Sequence, residues 1–192
     1  MDWTAAEFAS LDFELTGLDL ANDHVVSFGV VPVRDGRIVL GESIHQLVEP
    51  PISPSPSSVA IHGMRAQDLT GAPPLSDAAG TLGDALAHRF LLVWFASVEL
   101  AMLRRIYGRG GRGFARRCVD VRSLARAVDG GDGVTTPDES LSACAERYQV
   151  PVAAPHNALD DALVTAQLFL VLAPRLRGQG LTTVRDLLQA GR

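Results

Sequence analysis

The chain has 192 residues, 47% of them hydrophobic and 20% charged, which suits one globular domain over residues 1–192 with a single substantial core. Seventeen basic residues against 22 acidic ones give a formal net charge of −5, which excludes a polybasic coat holding nucleic acid by bulk charge. All 17 are arginines, so lysine nucleophile and Schiff-base chemistry are excluded too, and Cys118 and Cys144 are too few for a disulfide framework, a zinc knuckle or a C-x-x-C redox pair.

The first residues, Met1-Asp2-Trp3-Thr4, lack the cationic and apolar pattern of a leader, and the longest apolar runs, 90–98 and 162–173, are too short to span a bilayer. A soluble cytoplasmic protein without a membrane partner is expected. Residues 8–13 read as an apolar first strand, with Gly17 turning the chain. Residues 24–33 and 37–48 read as two further strands joined by the hairpin signal Asp35-Gly36. Four prolines between 49 and 56 then impose a surface crossing. Short helices are expected at 57–62, ended by Gly63, and at 76–88 after Pro73-Pro74. Residues 90–95 form a fully apolar strand candidate, with Trp94 and Phe95 expected in the core, and Ser97 can cap a helix to about Tyr107.

Residues 104–117 hold six arginines, four glycines and no acid, which reads as a solvated loop or a phosphate-contacting flap. Residues 118–121 resume a strand, 123–128 a helix and 130–137 a loop; 139–148, 160–172 and 184–189 read as three helices, with Glu146, Asp84 and Asp186 on solvated faces. The arginines beyond Ala173 fit a docking tail or a packed last helix. A meander followed by strands alternating with helices gives an α/β fold: a mixed five-stranded sheet, antiparallel meander plus parallel strands, flanked by helices.

Asp12 and Glu14 stand two apart at the end of an apolar strand, so both carboxylates point to one side. Like charges placed so either face water or share a cation. His156 lies just before the helix that Asp160 and Asp161 open, where acids suit the helix dipole. That helix is apolar almost all round, so an acid at its root calls for a partner, and a metal is one candidate. Glu99 lies in the first turn after the strand 90–95.

These motifs, taken together, resemble one family. Asp12-Phe13-Glu14-Leu15-Thr16-Gly17-Leu18 looks like the first motif, usually D-x-E-T-T-G, of the DEDDh family of 3′-to-5′ exonucleases of the proofreading-subunit type. Residues 59–64 and 68–74 resemble the segment after that family's third strand, and His156-Asn157-Ala158-Leu159-Asp160-Asp161-Ala162 matches H-x-A-x-x-D-A. The similarity runs in order over residues 8–173. It implies an RNase H-like fold and two Mg²⁺ (or Mn²⁺) ions held by Asp12, Glu14, Asp161 and, in the fourth place, Glu99, with His156 as general base. Hard oxygen ligands suit those ions, and a neutral imidazole suits proton transfer near pH 7. It also implies substrate contacts from Leu15, Thr16, Leu18 and His62, with Leu18 as an apolar wedge at the terminal nucleotide. The implied activity is hydrolysis of single-stranded DNA or RNA 3′ ends to nucleoside monophosphates, with a DNA polymerase or a second copy as partner.

The chain departs from the family pattern in its second motif. Trp94-Phe95 stand where His-Asn is usual, Glu99 replaces Asp, and Leu15 replaces a Thr. Glutamate is one methylene longer than aspartate, and Mg²⁺ demands near-octahedral geometry, so a weakly active or inactive relative that binds nucleic-acid ends or a partner protein is the alternative.

Overall fold

β-Branched and aromatic residues build the centre of a mixed sheet in the computed structural model, which describes residues 1–130 and 140–191. Its strands are β1 (Phe8–Leu15), β2 (Val25–Arg34), β3 (Arg37–Ile38), β4 (Ile44–Leu47), β5 (Phe90–Val93) and β6 (Cys118–Asp120). They follow the order β3-β2-β1-β5-β6, with β4 also paired to β2; β1–β5 and β5–β6 are parallel and the other pairs antiparallel.

Six strands stand where five were expected because the run 37–48 is broken. Ile38 lies opposite Val33 and Ile44 opposite Val30, so more chain is supplied than β2 can pair, and the surplus leaves the sheet as a 3-10 turn at Leu40–Glu42.

Helices cover both faces: α1 (Pro56–His62), α2 (Ala66–Leu69), α3 (Leu75–Leu86), α4 (Ala96–Tyr107), α5 (Val121–Val128), α6 (Leu141–Arg147), α7 (Ala158–Gly178) and α8 (Val184–Ala190). The period-2 alternation of β1 divides the core between them. Ala9, Leu11, Phe13 and Leu15 pack with α3 and α4, while Phe8 packs with α5 to α8 around Phe169 and Leu172. Asp12 and Glu14 belong to the second set by parity, so they face the side on which α7 begins. The loop expected at 130–137 and the helix start at Glu139 lie, from 131 to 139, outside the described residues.

Several local expectations are corrected. The arginine-rich run 104–117 is the end of α4 followed by a 3-10 helix, Gly110–Arg117. It is anchored because Phe114 is buried against Tyr107, with the Arg117 guanidinium 4.6 Å from its ring centroid, and because Gly111 lies against the Leu103 carbonyl. The N-cap position of α4 is Phe95 rather than Ser97, and the first free amide, Ala96 N–H, donates instead to Asp120 Oδ2 at 2.9 Å. Phe95 is 41% exposed, outside the core; Trp94 is partly buried against it. Asp186 is no solvated mid-helix acid: it forms a capping box with Thr183 at the start of α8.

The helix expected over 160–172 begins at Ala158 and runs through Pro174 to Gly178, because fully buried Leu176 holds the last turn on the core despite the lost amide. Arg175 and Arg177 are thus part of a packed helix, not a tail. The Arg175 guanidinium lies 4.6 Å from the Tyr148 ring centroid, and Arg177 donates to both carboxylate oxygens of Asp2 at 2.6 and 2.7 Å. No helix of the described residues is long and apolar enough to cross a membrane.

Candidate active site

Three of the expected ligand residues converge. Ligand atoms of Asp12, Glu14 and Asp161 all lie within 4.8 Å of one another. Two carboxylates come from β1 by its alternation, and the third from the first turn of α7. What brings α7 so close is Gly29, which pairs with Asp12 across the β1–β2 ladder and so faces the same side. A Cβ at Gly29 would stand 2.2 Å from the Ala158 carbonyl oxygen, so the helix start rests directly on the strand backbone. The sequence reasoning missed Gly29, although a glycine inside an apolar strand signals close backbone approach.

Asn157 caps α7, its Oδ1 accepting from Leu159 N–H at 3.1 Å and Asp160 N–H at 3.3 Å. The preceding residue, His156, is exposed and holds a left-handed backbone, φ 62°, which costs an L-residue about 1–2 kcal/mol. Its N–H donates to Asp161 Oδ2 at 3.0 Å. One carboxylate therefore fixes the loop that presents the imidazole beside the acids.

The acids are electrostatically crowded. Burial, reinforced by the charges of Glu99, Glu14 and Asp161, holds Asp12 well above the usual carboxylate range. Burial and then Asp161 raise Glu14 to about 7. Burial also raises Asp161, outweighing the His156 amide and the nearby imidazole.

Glu99 stands outside the three-residue group. It is 4% exposed, and its Oε2 has no hydrogen-bond partner among the described residues. Burial lifts it to about 8, with Asp120 adding, and the charges of Glu99 and Asp120 help burial push the Cys118 thiol to about 12. Glu99 thus lies between Asp12 on one side and the end of β6 on the other.

Thr16 and Leu15 are occupied by the fold. The Thr16 hydroxyl donates to Asp23 Oδ1 at 2.7 Å and accepts from His24 N–H at 3.0 Å; the Leu15 side chain is in the core. His62 Nδ1 accepts from Met64 N–H at 3.1 Å, which leaves Nε2 to donate to the Leu15 carbonyl at 3.2 Å and fixes the neutral tautomer. Burial, with the nearby His156 adding, lowers the His62 pKa. Leu18, by contrast, is 85% exposed on the turn that follows β1.

Three carboxylates facing one another, with a buried carboxylate beside them whose Oε2 lacks a partner, are a hard-oxygen donor set that fits a divalent cation. The family model for exonucleases of the RNase T type matches residues 10–169. The chain belongs to this exonuclease family. The family comprises DEDDh-type 3′-to-5′ exonucleases, hydrolases acting on phosphodiester bonds, as the motifs implied.

A DNA polymerase III subunit epsilon-like protein of Rhodobacter capsulatus is 31% identical over 92% of this chain and 25% of its own length. A PolC-type DNA polymerase III of Thermotoga petrophila is 28% identical over 95% of this chain and 13% of its own length. The chain therefore spans a quarter or less of these relatives. E. coli exonuclease I in complex with a dT13 oligonucleotide superimposes with a TM-score of 0.76 at 17% identity, covering 91% of this chain and 43% of that one. Exonuclease X in complex with 5′ overhanging duplex DNA superimposes with a TM-score of 0.71 at 22% identity, covering 96% and 99%. These likenesses establish the shared exonuclease fold.

Proposed function

We propose that this exonuclease-family chain hydrolyses the terminal phosphodiester bond at single-stranded 3′ ends of nucleic acid and releases nucleoside monophosphates. The observation that carries the reading is the convergence of Asp12, Glu14 and Asp161 on one point. These three would hold one Mg²⁺ or Mn²⁺, and Glu99, through its unpartnered Oε2, would complete the site for a second. Bound there, such ions would supply Lewis-acid stabilisation of the charge that develops on the phosphoryl oxygens.

His156 takes the proton of the attacking water. The water oxygen bonds to phosphorus as the P–O3′ bond to the preceding nucleotide breaks, and solvent protonates the departing O3′. Exposure of His156 suits proton exchange with solvent, and its link to Asp161 fixes its distance from the acids. Leu18 meets the terminal base. Thr16 and His62 act by shaping the turn and wall around it, since their polar side-chain atoms are already bonded within the protein. The polymerase names of the relatives make a DNA polymerase the protein partner to test first.

A second reading, an end-binding protein of weak or no activity, is favoured by the place of Glu99 outside the three-residue group. The test is cleavage of 5′-labelled single-stranded DNA and RNA with Mg²⁺, Mn²⁺ or EDTA, beside Asp161→Ala. A metal-dependent 3′-to-5′ ladder that the variant lacks is expected; retention of oligonucleotide without any ladder would favour end-binding. His156→Gln is expected to lower kcat by roughly 10²- to 10⁴-fold. Mn²⁺ affinity by isothermal titration should be nearly unchanged in that variant, and a parallel loss of affinity would remove His156 from the role of base.

A further inference from the structure

We infer that Phe95, backed by Arg122, is a base-stacking subsite for a nucleotide close to the 3′ end, on the side of the acids away from Leu18. The inference rests on the exonuclease reading but uses residues to which that reading gives no role. A singly exposed aromatic is ordinary. Three further observations make this one a site.

The first is its place. β5 runs parallel to β1 with Leu92 opposite Ser10, and β6 runs parallel to β5 with Asp120 opposite Val93. Phe95 leaves the sheet three residues beyond Leu92, Asp12 lies two beyond Ser10, and Arg122 lies two beyond Asp120. All three therefore belong to one edge of the sheet, the carboxyl ends of the parallel strands, with Phe95 two residues past the end of β5, the strand next to the acid-bearing one. Leu18 and His62 lie at the end of β1, and Phe95 follows the neighbouring strand on the side toward β6.

Next, Phe95 is 41% exposed while the Arg122 guanidinium lies 4.4 Å from its ring centroid. A cation on an aromatic face holds the ring in place. Finally, the backbone that presents the ring is fixed: Ala96 N–H donates to Asp120 Oδ2 at 2.9 Å, and Asp120 Oδ1 accepts from Ser123 N–H at 3.0 Å. Asp120 thus ties the strand end carrying Phe95 to the helix start carrying Arg122. A preorganised aromatic surface loses little entropy when a base stacks on it.

The test measures anisotropy of short 5′-fluorescein oligothymidylate and oligouridylate with Ca²⁺ in place of the activating ion, each also carrying one abasic residue at successive positions from the 3′ end. The wild type should lose affinity on the order of tenfold at one abasic position near the end. Phe95→Ala should lose the same factor on intact oligonucleotide and become insensitive to that abasic position, whereas Phe95→Trp should restore both affinity and sensitivity. Equal effects with thymidylate and uridylate fit stacking; an effect confined to uridylate would assign the contact to the 2′-hydroxyl and overturn stacking. Wild-type affinity in Phe95→Ala, or unchanged abasic sensitivity there, would overturn the subsite. Binding with this pattern but no cleavage under Mg²⁺ or Mn²⁺ would overturn the exonuclease reading alone.

Discussion

Asp12→Asn is expected to abolish metal-dependent cleavage while making the metal-free protein more stable. The loss, on the order of a thousandfold or more, follows from removing one of the three carboxylates that converge. The gain follows from the crowding. Asp12 is held far above its ordinary pKa by burial and by three neighbouring acids, so its ionised form is unfavourable in the folded chain. An isosteric amide needs no proton to stay neutral at that buried position, and a higher urea midpoint than the wild type is expected in EDTA at pH 8.

The same crowding sets a pH dependence in the wild type. Glu14 and Glu99 bind protons more tightly folded than unfolded, titrating near 7 and 8 instead of 4.5. Between those limits the folded state holds more protons, so stability falls as pH rises from about 4.5 to about 8. At 1.36 kcal/mol per pKa unit, the Glu14 shift alone corresponds to about 3 kcal/mol. Urea denaturation in EDTA at pH 5 and pH 8 should show the fall, and saturating Mn²⁺ at pH 8 should reverse much of it in the wild type but not in Asp12→Asn. A flat pH profile, or an Asp12→Asn variant stabilised by Mn²⁺ as the wild type is, would contradict this account.

Which of these features could be read from the sequence depends on the range of the interaction that fixes each. The spacing of Asp12 and Glu14 places both carboxylates on one face because strand periodicity is local, and the apolar residues after Asp161 reveal α7 for the same reason, although its start lies two residues before the expected one. Leu18, between Gly17 and Asp19, reads as a turn residue and is one. Features set by distant partners were not legible. Phe95 belongs to an apolar run and leaves the core only because Asp120, twenty-five residues later, redirects the chain at Ala96. The arginine-rich run folds onto the body because Phe114 finds Tyr107 and Gly111 admits the Leu103 carbonyl. The helix expected to end at 172 continues through Pro174 because Leu176 in the core outweighs one missing hydrogen bond.

Gly29 is the strongest case of a distant constraint, and Gly29→Ala is expected to damage stability and activity together. The added methyl would lie 2.2 Å from the Ala158 carbonyl oxygen, 2.3 Å from its carbon and 2.4 Å from Leu159 N. All three are backbone atoms at the first turn of α7, so no side-chain rotation relieves the clash, and the helix start must move away from β2 by an ångström or more. Overpacking of this kind costs about 3 kcal/mol, visible as a lower urea midpoint at unchanged m-value. Asp161 moves with the helix, and so does His156, whose amide it holds, while Asp12 and Glu14 stay with β1. Displacement of that size between groups that must act on one phosphodiester costs on the order of 100-fold in kcat. Because the damage lies in the relative position of two elements, saturating Mn²⁺ should recover part of the stability but little of the rate. Wild-type stability and rate in Gly29→Ala would mean that the contact between β2 and α7 does not set the geometry of the acids.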